Sequence, residues 1–176
     1  MIVTMIGSPG SGKSSVGRQA ANDIARCDYF STGEFARSLR EEQMDTGGWA
    51  SEDVMREKVA DVIKSVDGDN ALILDGFPRT VPQWIFLKQI TLDRPVIPVI
   101  LDCPRWLCIE RLNERGRESS ADLIYQRLID YDAYTVPLAG IVSGMPGTLH
   151  LSGTQKLDET SGHIVRTIID WRLANG

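Results

Sequence analysis

The stretch "GSPGSGKSS", Gly7 to Ser15, stands between the apolar run Ile2–Ile6 and a segment with helical patterning. Three glycines and a proline in nine residues are poor material for a core. They suit a loop whose successive backbone N–H groups must close around an anion at short range, where side chains would obstruct the approach. Gly7, Gly12, Lys13 and Ser14 satisfy the pattern GxxxxGK[ST]. The strand before it and the helix after it are the context in which that pattern holds phosphate rather than forming an ordinary turn. The helix adds its N-terminal partial positive charge, Lys13 reaches the β- and γ-phosphates, and Ser14 can join the shell of a Mg²⁺ ion. The loop thus implies a nucleotide, without saying what happens to it.

A loop of this kind works at the carboxyl end of a parallel strand, and the rest of the chain supplies such a sheet. Apolar runs recur at 1–6, 28–31, 71–75, 96–102 and 148–152, three of them nearly continuous, as expected of strands covered on both faces. Helical patterns fill the intervals at 12–26, 33–44, 51–65, 80–90, 104–115, 120–136 and 157–174. The glycines of "DTGGWAS" break the second from the third, and Ser51 can cap the third. Strand and helix in alternation predict an α/β fold: a five-stranded parallel sheet between helical layers, with right-handed crossovers. At 176 residues, with no repeat or linker, this is one domain over 1–176.

Composition narrows the partners. A net charge of −5, with no basic run, does not suggest a nucleic-acid polymer or a membrane surface. Three cysteines, Cys27, Cys103 and Cys108, form no CxxC and read as reduced thiols of a cytoplasmic protein. Two histidines thirteen residues apart support neither a zinc site nor a serine–histidine triad. No heptad pattern opposes a monomer.

Three further stretches fall at predicted strand ends, where ligands bind in such sheets: "STGEFAR" (31–37), "LDGFPRTVPQ" (74–83) and "LDCPRWLCIERLNERGR" (101–117). Each brings arginine to the phosphate loop: Arg37, Arg79, then Arg111, Arg115 and Arg117, with Arg127 following in "YQRLIDY". Arg111 reads as a surface charge. Arg79 does not, because Gly76 and Pro78 shape a tight turn around it.

With these residues in place the chain resembles the adenylate kinase branch of the nucleoside monophosphate kinases. Besides "GSPGSGK", "STGEFAR" is similar to the family's STGDLLR, and "DGFPRTVPQ" is the most specific match. "QRLIDYDAYTVPL" (126–138) and "LSGTQKLDE" extend the likeness over nearly the whole length. The resemblance implies a P-loop kinase domain with an acceptor-binding insertion at 31–66 and a short lid at 115–127. It implies transfer of the ATP γ-phosphoryl to a nucleoside monophosphate, AMP foremost, with Mg²⁺ and no zinc. ATP would lie on Gly7, Pro9, Gly10, Ser11, Gly12, Lys13, Ser14 and Ser15, with Gln155 at the edge of the adenine. The acceptor would lie among Thr32, Gly33, Arg37, Gly76, Arg79 and Gln83, the Gln83 amide pairing with the base. Ser14, and Asp75 through water, would hold the ion. Lys13, Arg79, Arg115, Arg117 and Arg127 would neutralise the moving phosphoryl group. The alternatives are a kinase for UMP, CMP or a deoxynucleotide, and a sensor that binds nucleotide with little turnover.

The chain departs from the family in its covers. "RGRESSADLIYQR" runs from Arg115 to Arg127 almost directly, without the paired aspartates usual there. "GGWASEDV" stands where the family usually has a Gly-x-Leu-Val-Pro-Asp/Glu pattern, so that Trp49 becomes a candidate to lie against the acceptor base, or else a core or surface residue. Ser14 and Ser15 stand where glycine and threonine are common.

Overall fold

The computed structural model describes residues 1–39, 51–91, 93–116 and 120–175. Trp49, Arg117 and the end of the helix expected over 33–44 lie outside them. Five strands, β1 (Ile2–Ile6), β2 (Cys27–Ser31), β3 (Ala71–Asp75), β4 (Val96–Asp102) and β5 (Leu149–Ser152), form one sheet in the order β2-β3-β1-β4-β5. Every neighbouring pair is parallel. The phosphate loop therefore leaves the central strand of a parallel α/β sheet, at the point where the chain order reverses.

Side chains alternate across the sheet and build a core on each face. Val3, Met5, Ile73, Val99 and Leu101 meet α1 (Lys13–Asn22) and α8 (Leu157–Asn175) through Val16, Ala20, Ile164 and Ile168. Ile2, Ile6, Leu72, Leu74 and Ile100 face the other way. There they meet α3 (Glu52–Ser65), α4 (Val81–Ile90) and α7 (Val136–Ser143), through Val59, Ile63, Trp84, Leu87, Leu138 and Val142. A third, small cluster of Leu112, Ile124 and Leu128 joins α5 (Arg105–Arg115) to α6 (Ala121–Asp130), apart from the sheet. α2 (Thr32–Ser38) follows β2 directly, with Ser31 as its cap.

Two helices differ from the sequence expectation. α1 stops at Asn22 rather than 26: Asp23 caps it, and by Arg26 the backbone has turned to a left-handed φ of 57° on entering β2. The helix expected over 120–136 does not end there. It passes through a π-turn at Tyr131–Thr135 and continues as α7, a helix that Pro137, Gly140 and Gly144 obscure in the sequence. Pro137 cannot donate a backbone hydrogen bond to the preceding turn, and widening the helix just before it is a common accommodation. Among the described residues, no helix is long and apolar enough to cross a membrane.

Candidate functional site

The loop from Gly7 to Gly12 is pressed between neighbours that leave no room for side chains. Gly10 has φ 83°, and a Cβ there would collide with the backbone carbonyl of Cys108 on α5. On the opposite flank, a Cβ on Gly153 would lie 2.6 Å from the Ser11 carbonyl oxygen and 3.1 Å from Cys103 Cβ. The turn after β5 thus packs on the loop, fixed by the Gly153 N–H donating to the Asp102 carbonyl at 2.6 Å. Gln155 follows, exposed on that turn. No side chain caps the start of α1 at Gly12. Its first N–H groups are therefore not taken by a cap and keep their positive end for an anion.

Lys13 folds back over the loop, its Nζ donating to the carbonyls of Gly7 at 2.6 Å and Ser8 at 2.8 Å. Burial pushes its ammonium from 10.5 down to about 8; Asp75 opposes that shift, while Arg79 and Arg127 add to it. These four charged groups therefore act on one another across the mouth of the loop. Burial also lowers Arg79, again against the pull of Asp75. Such an accumulation of cations around a lysine is costly by itself and is relieved by an anion between them.

Asp75 ends β3, directly beside Ser31 in the β2–β3 register. Its Oδ2 accepts from Ser14 Oγ at 2.6 Å, Tyr29 OH at 2.9 Å and Ser31 Oγ at 3.4 Å. Asp75 does not cap the next helix; Thr80 does, its Oγ1 accepting from the Gln83 N–H at 3.2 Å. Ser14 and Asp75 place a hydroxyl and a carboxylate oxygen side by side. That small set of hard donors fits Mg²⁺, which keeps most of its waters and takes one or two protein ligands beside phosphates. Ser15, next on α1, is exposed.

The third group forms around the turn after β3, which passes through a cis Phe77–Pro78 peptide. Gly76 has φ 83°, and a Cβ on it would lie 2.6 Å from Thr32 Oγ1 and 3.1 Å from Arg79 Nη2. Thr32 Oγ1 donates to the Asp75 carbonyl at 3.1 Å, and Arg79 Nε to the Gly76 carbonyl at 2.8 Å. Arg37 Nη1 would lie 3.4 Å from a Cβ on Gly33. Thr32, Gly33, Arg37, Gly76 and Arg79 thus gather at the ends of β2 and β3. Gln83 is buried at 7% exposure, its Oε1 accepting from the Arg79 N–H at 2.7 Å and its Nε2 donating to Glu52 Oε2 at 2.8 Å.

The arginines expected of a lid are divided. Arg127, half-buried on α6, acts on Lys13, whereas Arg115 is exposed in the last turn of α5. Arg111 is not the surface charge expected of it. It is half-buried, and its Nη1 donates to the Ser11 carbonyl at 3.3 Å and approaches Cys103 Sγ at 3.6 Å, which ties α5 to the loop.

The sequence that builds this site is similar to that of known proteins. Residues 6–125 match the family described as AAA domain. "Adenylate kinase 1" of Nostoc sp. (strain PCC 7120 / SAG 25.82 / UTEX 2576) is 28% identical over 93% of this chain and 96% of its own. An "Adenylate kinase" of Mycobacterium bovis (strain BCG / Pasteur 1173P2) is 30% identical over 96% of this chain and 99% of its own. This chain belongs to the adenylate kinase family. It is an adenylate kinase-like enzyme, a P-loop transferase acting on nucleotides as a nucleoside monophosphate kinase.

Sequence reasoning missed the part that four residues play around the site of this adenylate kinase-like enzyme: Tyr29, Arg18, Arg111 and Glu52. Tyr29 is two residues before Ser31 on β2 and so shares its face of the sheet, a period-two signal that was available. Arg18 stacks its guanidinium 4.8 Å from the Tyr29 ring centroid. Arg111 is four residues before Arg115, a spacing that puts both on one side of α5 but does not say which reaches the loop. Glu52 falls at the acidic end of the pattern set against "GGWASEDV", a signal that says nothing of its partner. The T-x-x-Q of Thr80–Gln83, however, is a capping-box pattern, in which the glutamine oxygen is expected to turn back toward the helix start.

Proposed function

We propose that this enzyme transfers the γ-phosphoryl group of ATP to AMP, giving two molecules of ADP. The observation that carries the proposal is the convergence of Lys13, Arg79 and Arg127 on the phosphate loop, with Asp75 facing them. Phosphoryl transfer asks little covalent chemistry of a protein; it needs two anions aligned against their repulsion and the charge of the moving group neutralised. In this reading, the loop residues Gly7, Pro9, Gly10, Ser11 and Gly12, with Ser14 and Ser15, hold the donor phosphates, and Gln155 edges the donor base. Arg37 and Arg79 grip the acceptor phosphate beside Thr32, Gly33 and Gly76, with the planar fork that suits such a group. Gln83 reads the acceptor base. Lys13 and Arg127, with Arg115 and Arg117 brought in from the lid, steady the phosphoryl group in flight.

Ser14, and Asp75 through water, would hold Mg²⁺, which when bound neutralises charge on the β- and γ-oxygens. Residues 31–66 form the acceptor-binding insertion and 115–127 the short lid of a single domain over 1–176. The names of the relatives support AMP as acceptor, as does an amide at Gln83 that both donates and accepts, as an adenine edge requires.

The test is ADP formation with ATP and a panel of AMP, CMP, UMP and their deoxy forms, for the wild type and Gln83→Leu. AMP is expected to be the preferred acceptor. The variant should lose about 1–3 kcal/mol in AMP use, the cost of an unpaired polar edge, with ATP binding nearly unchanged. Preference for UMP or CMP would overturn the acceptor assignment. Nucleotide binding with no transfer to any acceptor would overturn the activity.

A further inference from the structure

Both polar ends of the Gln83 amide are already engaged. The oxygen accepts from the Arg79 N–H at 2.7 Å, and the nitrogen donates to Glu52 Oε2 at 2.8 Å. Glu52 is in turn held through its other oxygen, Oε1, by Arg56 Nε at 2.7 Å, and the Arg56 guanidinium lies 5.3 Å from the centroid of the Phe86 ring on α4. A line of contacts, Arg56 to Glu52 to Gln83 to the Arg79 backbone, thus bridges α3, α4 and the turn after β3.

This line fixes which way round the amide sits. Turning it over would set the NH₂ group against the Arg79 N–H, donor against donor. It would also set the amide oxygen against the Glu52 carboxylate, acceptor against acceptor. A primary amide has two N–H donors and two oxygen lone pairs. One of each is used here, so one donor and one acceptor remain, in a set order: the donor on the Glu52 side and the acceptor on the Arg79 side.

We propose that Glu52 is a positioning residue that sets acceptor specificity, by locking Gln83 in the polarity that accepts a base with an amino group beside a bare ring nitrogen and rejects its oxo counterpart. The proposal rests on Gln83 being the base reader. Adenine offers an N6–H donor next to the N1 acceptor, which complements the locked amide. Hypoxanthine presents an oxygen acceptor beside an N1–H donor, which is the reverse order, and both contacts become repulsive. Cytosine and uracil are related in the same way. A buried amide, at 7% exposure, has little water available to soften the mismatch. In Glu52→Gln, residue 52 can accept from Gln83 or donate to it, so one of the two locks is lost.

The experiment measures equilibrium binding and kcat/KM for AMP and for IMP, and likewise for CMP and UMP, with the wild type, Glu52→Gln and Glu52→Ala. Thermal denaturation of each variant checks that it folds. The wild type is expected to favour the amino nucleotide within each pair by about ten- to hundredfold, the range set by one mispaired polar edge. That ratio should fall by about tenfold in Glu52→Gln and in Glu52→Ala. A contribution of Glu52 only to the start of α3 would weaken both members of a pair equally and leave the ratio where it was; that result overturns the proposal. So does a wild type that binds IMP as well as AMP and UMP as well as CMP. If CMP is preferred to AMP, the assignment of AMP fails by itself, and the CMP/UMP ratio still decides the role of Glu52.

Discussion

Around the phosphate loop, the groups that define the cavity are mostly backbone. Lys13 reaches the carbonyls of Gly7 and Ser8, Arg111 reaches that of Ser11, and the close approaches at Gly10 and Gly153 are to main-chain oxygens. Around the turn from Gly76 to Gln83 the defining contacts run between side chains, or from a side chain to the main chain of a distant segment. Glu52 meets Gln83, Tyr29 and Ser14 meet Asp75, and Thr32 meets the Asp75 carbonyl. A surface made of backbone can recognise only what all nucleoside triphosphates share, and it fails when a Cβ intrudes. A surface made of side chains can be retuned residue by residue. In the proposed reading the donor side is accordingly fixed, while the acceptor side is where base preference can be retuned.

The largest expected effects come from breaking the backbone-built side. Lys13→Met should lower turnover by about 10²–10³-fold, since an oriented charge is lost where negative charge moves. Gly10→Ala, which adds one methyl group, should also abolish ATP binding. Its left-handed φ costs an alanine about 1–2 kcal/mol before the clash with Cys108 is counted, so Tm should drop by at least roughly 2–8 °C. The steady-state rate of ADP formation checks the first, and ATP titration with thermal denaturation the second; an alanine variant that binds ATP normally would show that the loop is not held as tightly as its contacts imply.

An intermediate effect concerns protonation. With its ammonium lowered to about 8, Lys13 in the free enzyme loses its proton through that pH, and a bound triphosphate should raise it again. ATP binding near pH 8 should therefore take up about half a proton, and the apparent affinity should fall toward tenfold per pH unit above it. Calorimetry in buffers of different ionisation enthalpy measures the uptake, and Lys13→Arg should remove it. Binding without uptake at pH 8 would mean that the lysine is not the group that answers the phosphate.

The smallest effect should come from the side-chain-built region. Tyr29→Phe keeps the ring beneath Arg18 and removes only the hydroxyl bond to Asp75, a loss of about 0.5–1.5 kcal/mol. The Mg²⁺ concentration for half-maximal rate should shift by a few-fold, with kcat at saturating Mg²⁺ little altered. An equal loss at all Mg²⁺ concentrations would make Tyr29 a packing residue instead.

This contrast also explains what the sequence could reveal. A backbone-built loop announces itself, because only "GSPGSGK" has the glycines and the lysine that such a cradle needs. The inner strands β1, β3 and β4 were equally open to reading, since strands covered on both faces are nearly continuous apolar runs; the part-exposed edge strands β2 and β5 gave shorter, more mixed ones. Contacts such as Glu52 to Gln83, 31 residues apart in sequence, leave no local trace. Arg111 and Arg115 share a helix and a residue type, so their different fates depend on how α5 lies against the loop. α7 was hidden for a different reason: its proline and glycines interrupt the helical pattern, and a π-turn just upstream accommodates Pro137 in its first turn.

That π-turn has a consequence for register. The Val136 N–H donates to the carbonyl of Tyr131, five residues back, so the helix carries one residue more than an α-turn would hold. An α-helix rotates about 100° with each residue. The turn therefore sets the rotational phase of α6 relative to α7, whose Leu138 and Val142 are anchored in the core. Arg127 is one turn upstream of it. Were a single residue lost between Tyr131 and Thr135, every contact of α7 could stay as it is, yet Arg127 would swing about 100° around the axis and leave the phosphate loop. The helix behaves like a key whose teeth face the lock only because its shaft was cut one notch long.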